Sequence, residues 1–164
     1  MSRGFVKEGD QEEAPIIPPR APLPAGVDNY VTPLGMELLN RERTELETEI
    51  SELPTLDENQ RRRELAVLNG KLNLLLERIA SARIVDPSLQ PQNEIRFGAV
   101  VTFVMAGKTS TFQIVGVDEA DFRKQKIAFT APIATALTGA KAGETVSFKL
   151  GNETRELKVL GFKY

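Results

Sequence analysis

Apolar residues recur along this chain in three rhythms, and each predicts a different kind of structure. Between positions 33 and 84 the rhythm is helical and broken once. Leu65, Leu68, Leu72, Leu75, Ile79 and Ala82 step by 3, 4, 3, 4 and 3, the heptad spacing that keeps a narrow apolar seam on one side of a helix. Upstream, Leu39, Leu46, Ile50 and Leu53 are separated by 7, 4 and 3. Thr32 and Pro33 supply an N-cap and a first helical residue, and Pro54 disfavours helical backbone at Leu53. The spacing predicts one helix over 33–53 and a second ending near residue 82. Their short connection at 54–57 forces the two to run antiparallel. Leu74 and Leu76 lie beside the seam and leave an alternative open, in which the pair lies flat on the domain that follows.

From residue 87 onward the period falls to about two. Short runs over 99–104, 111–115, 126–129, 146–150 and 156–160 are rich in β-branched and aromatic residues and predict strands. Gly151-Asn152 predicts the turn of the last hairpin, and Pro132 to Leu137, closed by Gly139, predicts a short helix. The expected fold class is α+β, with a helical hairpin over 31–86 and a mainly antiparallel β domain carrying one short helix over 87–164. Residues 1–30 hold Pro15, Pro18, Pro19, Pro22 and Pro24 with few large apolar groups. Such a segment predicts an extended or disordered tail, with a partner-binding arm as the alternative.

Composition narrows the chemistry. The 164 residues include no cysteine and no histidine, which removes disulfides, thiolate metal sites and the Ser-His and Cys-His nucleophile pairs. A hard cation held by carboxylates is the metal that remains, and self-contained catalysis is not expected. The net charge of −2 divides into −2 for residues 1–30, −3 for 31–86 and +3 for 87–164, two surfaces of opposite sign without the concentrated basic stripe of a duplex-DNA binder. No apolar run reaches the roughly 20 residues needed to span a bilayer, and a soluble, cytoplasmic monomer is expected.

The predicted turn reads Pro54-Thr55-Leu56-Asp57-Glu58-Asn59-Gln60, followed by Arg61-Arg62-Arg63. Adjacent carboxylates on the end of a rod could ligate a second magnesium ion, or orient water, at a phosphoryl-transfer centre belonging to another molecule. They could equally be helix caps, since Thr55-x-x-Glu58 and Asp57-x-x-Gln60 both fit a capping box. Arg61, Arg62 and Arg63 could meet nucleic-acid phosphates or simply form a solvated face.

Several segments, in matching order over about residues 30–164, resemble the Gre family of bacterial transcription elongation factors. They are Thr32-Pro33-Leu34-Gly35, Ala82-Arg83-Ile84-Val85-Asp86, Ile114-Val115-Gly116-Val117-Asp118-Glu119-Ala120-Asp121, Ala131-Pro132-Ile133-Ala134-Thr135-Ala136-Leu137 and Gly143. The resemblance implies an FKBP-like C-terminal domain that docks at the secondary channel of RNA polymerase, with the coiled coil entering the pore. It implies no intrinsic cofactor, a magnesium ion shared with the polymerase at Asp57 and Glu58, and RNA or DNA contact only within that complex. By position, Asp118, Glu119 and Pro132 are expected to meet the polymerase. The chain departs from the family at the tip, where Glu58-Asn59 matches the second half of an Asp-x-x-Glu-Asn pattern but Thr55 stands where the first acid belongs, in a shorter hairpin. Thr130-Ala131 is also less polar than the pair usual before the proline. Two readings therefore stay open: stimulated cleavage of backtracked RNA, and non-cleaving occupancy of the channel. A structural protein that dimerises through the hairpin is the alternative of a different class.

Overall fold

The computed structural model describes residues 14–54 and 57–164. A three-residue strand, β1 (Asn29–Val31), leads into helix α1 (Pro33–Ser51), and helix α2 (Glu58–Ser81) returns antiparallel and continues into strand β2 (Ala82–Ile84). Thr32 caps α1 by accepting a hydrogen bond from the Gly35 amide at 2.9 Å, with Pro33 at the first position. The helix ends at Ser51, two residues before the expected Leu53. Pro54 excludes helical backbone at Leu53, and Glu52 becomes the C-cap, its amide bonded to the Thr48 carbonyl.

The heptad seam forms. Leu39, Leu46, Leu68 and Leu75 are buried against one another and Val31, with Ile50, Leu53, Leu72 and Ile79 packed around them. This core is separate from that of the β domain, so the hairpin buries its apolar stripe within itself rather than lying flat on the domain. Burying a leucine of this kind contributes roughly 1.5–3 kcal/mol. The base of the hairpin is closed by a parallel ladder, Asn29 opposite Ala82 and Val31 opposite Ile84. Three-residue strands lie below the length at which alternation can be read from sequence, and both went unpredicted.

In the β domain, strands β3 (Val100–Met105), β4 (Lys108–Val115), β5 (Lys126–Ala128), β6 (Thr145–Leu150) and β7 (Glu153–Lys163) form one sheet in the order β5-β4-β3-β7-β6. All neighbours are antiparallel except β4 and β5. Short helix α3 (Pro132–Leu137) buries Ala134 and Leu137 against Phe103, Val101, Ile114, Leu157 and Val159, the α+β arrangement expected. Gly139, at φ 88°, ends α3 with left-handed backbone. Between Thr102 and Phe103 the pairing of β3 with β7 slips by one residue, turning Leu160 outward while Val159 stays buried.

Of the tail expected over residues 1–30, residues 1–13 lie outside the described residues, and residues 14–28 are held against the hairpin. They are extended, as the prolines dictate, but they lie along the hairpin from its middle to its base and are pinned there. Ile17 fills the space over Gly70, its Cδ1 only 2.1 Å from where a Cβ on residue 70 would stand. Arg20 makes a bidentate pair with Glu42 of α1 at 2.7 and 3.0 Å and a further bond to Asp118 of the β domain at 3.1 Å. Arg78 of α2 donates to the other Asp118 oxygen at 3.1 Å and to the Ala21 carbonyl. The Asn29 amide donates to the Arg78 carbonyl at 3.0 Å, closing the end of α2. A single carboxylate thus joins tail, hairpin and sheet. The hydrogen bonds to Glu42 outweigh partial burial and hold the Arg20 guanidinium above its ordinary pKa, with Asp118 acting in the same sense.

Two stability outcomes follow. Leu75 has no exposed surface, and Leu75→Ala is expected to cost about 2–5 kcal/mol in urea unfolding; a change below roughly 1 kcal/mol would mean the seam does not hold the hairpin. For the junction, a double-mutant cycle of Arg20→Ala and Asp118→Ala should give a coupling of about 1–3 kcal/mol. Strictly additive single-mutant effects would remove Asp118 from the role of clasp.

Candidate functional site

The tip and the junction hold the candidate residues, and the fold treats them in opposite ways. Asp57 and Glu58 open α2 and are both exposed, at the end of the rod farthest from the sheet. Asp57 occupies the N-cap position, yet its side chain caps nothing; the Arg61 amide bonds to its backbone carbonyl at 2.9 Å. The capping box Asp57-x-x-Gln60 is therefore not formed, and Gln60 instead donates to Glu64 at 3.3 Å. The other box falls on Thr55, which lies outside the described residues. Both carboxylates remain directed to solvent within the first turn, where the helix dipole favours negative charge.

Arg61, Arg62 and Arg63 follow on the same turn and are exposed. Arg62 donates to Asn59 at 3.1 Å, an interaction within the first turn. Arg63 borders a groove of about 580 Å³ between the helices, whose floor is Leu53, Pro54, Val67 and Leu68 and whose rim carries Glu49, Glu52 and Glu64. Among the described residues no group of three or more acidic side chains is arranged to hold a metal ion. A hydrated magnesium takes one or two protein carboxylates and completes its shell elsewhere. The two exposed carboxylates of Asp57 and Glu58 match that number of ligands and no more.

Asp118 and Glu119 depart from their expected exposure. Their side chains are only 7% and 3% exposed and both face inward. Asp118 is the clasp between Arg20 and Arg78. Glu119 accepts from Lys126 Nζ at 2.9 Å through one oxygen and from the Thr32 hydroxyl through the other. That hydroxyl in turn accepts from the Gly35 amide, so the carboxylate of the β domain is linked through Thr32 to the N-terminus of α1. Glycine is required at position 35 because a Cβ would stand 2.8 Å from Glu119 Oε1, and at 116 because one would stand 2.5 Å from the Tyr30 carbonyl. The segment Gly116-Val117-Asp118-Glu119 is thus the seat of the hairpin. These two acids are already engaged within the chain by Arg20, Thr32, Arg78 and Lys126, from four other segments, so the expected contact with a partner has no free side chain here to draw on. Pro132, at the start of α3, does lie on the surface.

Sequence reasoning missed Arg20, Arg78 and Thr32 as partners of this seat. The capping role of Thr32 was visible in Thr-Pro, but nothing in a linear pattern joins positions 20, 42, 78 and 118. A second element also went unseen, a triangle of Tyr30, Phe97 and Phe129 with ring centroids 5.6–5.9 Å apart. It packs the β1 strand onto the β domain beside the polar clasp.

Residues 90–164 match the family described as "Transcription elongation factor, GreA/GreB, C-term". A transcription elongation factor GreA of Acidiphilium cryptum is 35% identical over 99 residues, covering 59% of this chain and 63% of that protein. One of Methylococcus capsulatus is 31% identical over 106 residues, covering 63% of this chain and 67% of the relative. The alignment thus spans close to two thirds of these relatives, slightly less in the first. A transcription elongation factor GreB of Neisseria meningitidis is 27% identical over 153 residues, 83% of this chain and 94% of its own length. Among solved structures, GreA factor homolog 1 of Thermus thermophilus superposes with a TM-score of 0.37 at 19% identity, over 84% of this chain and 100% of that one. A GreA/GreB factor of Nitrosomonas europaea superposes at 0.39 and 22% identity, over 82% and 98%. With a helical hairpin seated on an α+β domain, and with sequence identity running from the hairpin into that domain, the chain belongs to the GreA/GreB family of transcription elongation factors.

Proposed function

We propose that this chain binds RNA polymerase at its secondary channel and regulates elongation, the hairpin entering the pore while the β domain rests on the rim. The observation that carries the reading is the self-contained hairpin. Its seam is buried between its own two helices, and its end presents the exposed carboxylates of Asp57 and Glu58. Helix α2 has 24 residues and extends roughly 36 Å at about 1.5 Å per residue, a probe rather than a core element. The protein is not itself an enzyme in this reading. At most it lends oxygen ligands to a magnesium ion in the polymerase active site, and Arg61, Arg62 and Arg63 approach RNA or DNA only inside the complex. It acts as a monomer where the polymerase works, in the cytoplasm.

Occupancy of the channel and stimulation of RNA cleavage are separable properties. Occupancy needs the stiff hairpin and its seat. Cleavage rests on Glu58 with Asn59, because Thr55 replaces the first acid of the family's tip and Asp57, two positions further along, stands at the N-cap of α2. A displaced carboxylate contributes little to a reaction that depends on sub-ångström placement. These features favour non-cleaving occupancy as the second reading.

Stalled, backtracked elongation complexes test both. The purified chain is expected to bind them and change the rate of resumed elongation. Glu58→Ala should lower any RNA shortening about tenfold or more, equivalent to ~1.4 kcal/mol, while binding changes less than about twofold. Retained binding with RNA of unchanged length assigns the non-cleaving form. Absence of binding at micromolar concentration ends the channel reading altogether.

A further inference from the structure

With Asp118 and Glu119 engaged inside the molecule, the β domain needs other residues to hold a partner, and one loop is built to do so. A single 3-10 turn, residues 122–124, connects the Asp118–Asp121 segment to β5. Phe122 stands on this turn with 78% of its surface exposed, an arrangement that costs hydrophobic free energy in the isolated protein. The ring is not loose. Its centroid lies 5.4 Å from that of Phe112 on β4, at an interplanar angle of 38°. Beneath it the backbone is fixed from both sides. Asp121 accepts from the Arg123 amide at 3.0 Å, and Asp121 and Lys126 exchange two backbone bonds at 3.0 Å. Gln125 closes the turn in left-handed backbone, φ 58°, while its carbonyl accepts from the Gln113 amide at 2.9 Å.

Arg123 and Lys124 follow Phe122 on the same turn, and both are exposed. Beside it opens a shallow recess of about 180 Å³ lined by Phe112, Lys124, Gln125 and Lys126. Of the neighbouring carboxylates, Glu119 is turned inward to Thr32 and Lys126, and Asp121, which caps the turn, offsets one of the two cations, so the edge keeps an excess of positive charge. A held aromatic projection followed by two exposed cations on one turn is the form of a docking anchor. Aromatic and arginine side chains supply a large share of binding free energy when a partner buries them, and a preformed loop loses little conformational entropy on association.

We infer that the Phe122-Arg123-Lys124 turn is a protein-docking anchor whose counterpart is an acidic protein surface with an apolar pocket for one ring. The inference rests on the polymerase reading and identifies the part of the β domain that grips the enzyme's rim. Charge complementarity selects the partner's sign, and the ring selects protein over nucleic acid. Two adjacent cations would neutralise too few phosphates for useful duplex affinity, which grows with the number of phosphates contacted.

The test uses the full chain and purified bacterial RNA polymerase core enzyme, with affinity measured at low and high salt. Phe122→Ala is expected to weaken binding about tenfold or more at both. The double variant Arg123→Glu/Lys124→Glu should weaken it at low salt, with a smaller difference at high salt as screening shortens the reach of charge. Leu89→Ala, at an exposed apolar residue outside the β domain's sheet, serves as the unaffected control. Thermal unfolding accompanies each variant; should Phe122→Ala alter the Tm, the charge-reversed pair decides the matter. Wild-type binding that all variants retain overturns the anchor while leaving the polymerase reading intact. Failure of the wild-type chain to bind removes that reading and the anchor with it. Loss of affinity for a short DNA duplex in the charge-reversed variant, with polymerase affinity unchanged, overturns the assignment to a protein partner.

Discussion

The carboxylate of Asp118 is where the tail, the hairpin and the β domain meet, and the hairpin's attachment is organised around it. The hairpin and the β domain each bury their own apolar residues, so the hydrophobic effect stabilises each unit and says little about the angle between them. Direction has to come from directional interactions. Asp118 receives Arg20 on one oxygen and Arg78 on the other, and Arg20 reaches on to Glu42. The guanidinium groups are planar donors with fixed forks, which sets orientation as well as proximity. The Glu119–Thr32 bond adds a second point, and the Tyr30, Phe97 and Phe129 rings a third. Three separated fixings define a rigid attachment where one would leave a pivot.

That requirement also accounts for the ordering of residues 14–28. A proline-rich segment has little conformational freedom left to lose, so holding it against the hairpin costs less than holding a flexible chain would. It contributes Ile17 over Gly70 and Arg20 at the clasp, bridging α1 and the β domain across a boundary that no regular element crosses on that side. A segment too poor in apolar residues for a core of its own is ordered by two well-placed contacts.

Much of the fold was legible because it depends on period. The Leu65-to-Ala82 steps predicted α2, Pro54 predicted the reversal, the alternating runs predicted the five strands of the sheet, and Pro132 with Gly139 predicted α3. Where the signal was local competition, boundaries moved: α1 stops at Ser51 because proline acts on the residue before it, and the short β1–β2 ladder is too brief to alternate. Burial of Asp118 and Glu119 could not be read at all. Two adjacent acids in a turn look solvated, and their partners lie at positions 20, 32, 78 and 126, distances in sequence that no periodicity spans. The tip acids were legible as exposed, whereas the failure of Asp57 to cap required its geometry.

The contrast between the two pairs of acids separates attachment from chemistry. Asp118 and Glu119 are almost fully paired, so their charges are satisfied internally and serve to orient the rod. Asp57 and Glu58 lack any such enclosure, and isolated carboxylates in water bind magnesium weakly because the ion keeps its own hydration shell. Chemistry at the tip therefore requires a second molecule that already holds the ion and excludes solvent, and the rod's stiffness matters because the oxygen must arrive in place. The same division runs the length of the chain. Its structure concentrates electrostatic stabilisation at the base, where orientation is fixed, and leaves the far end open for a partner to complete.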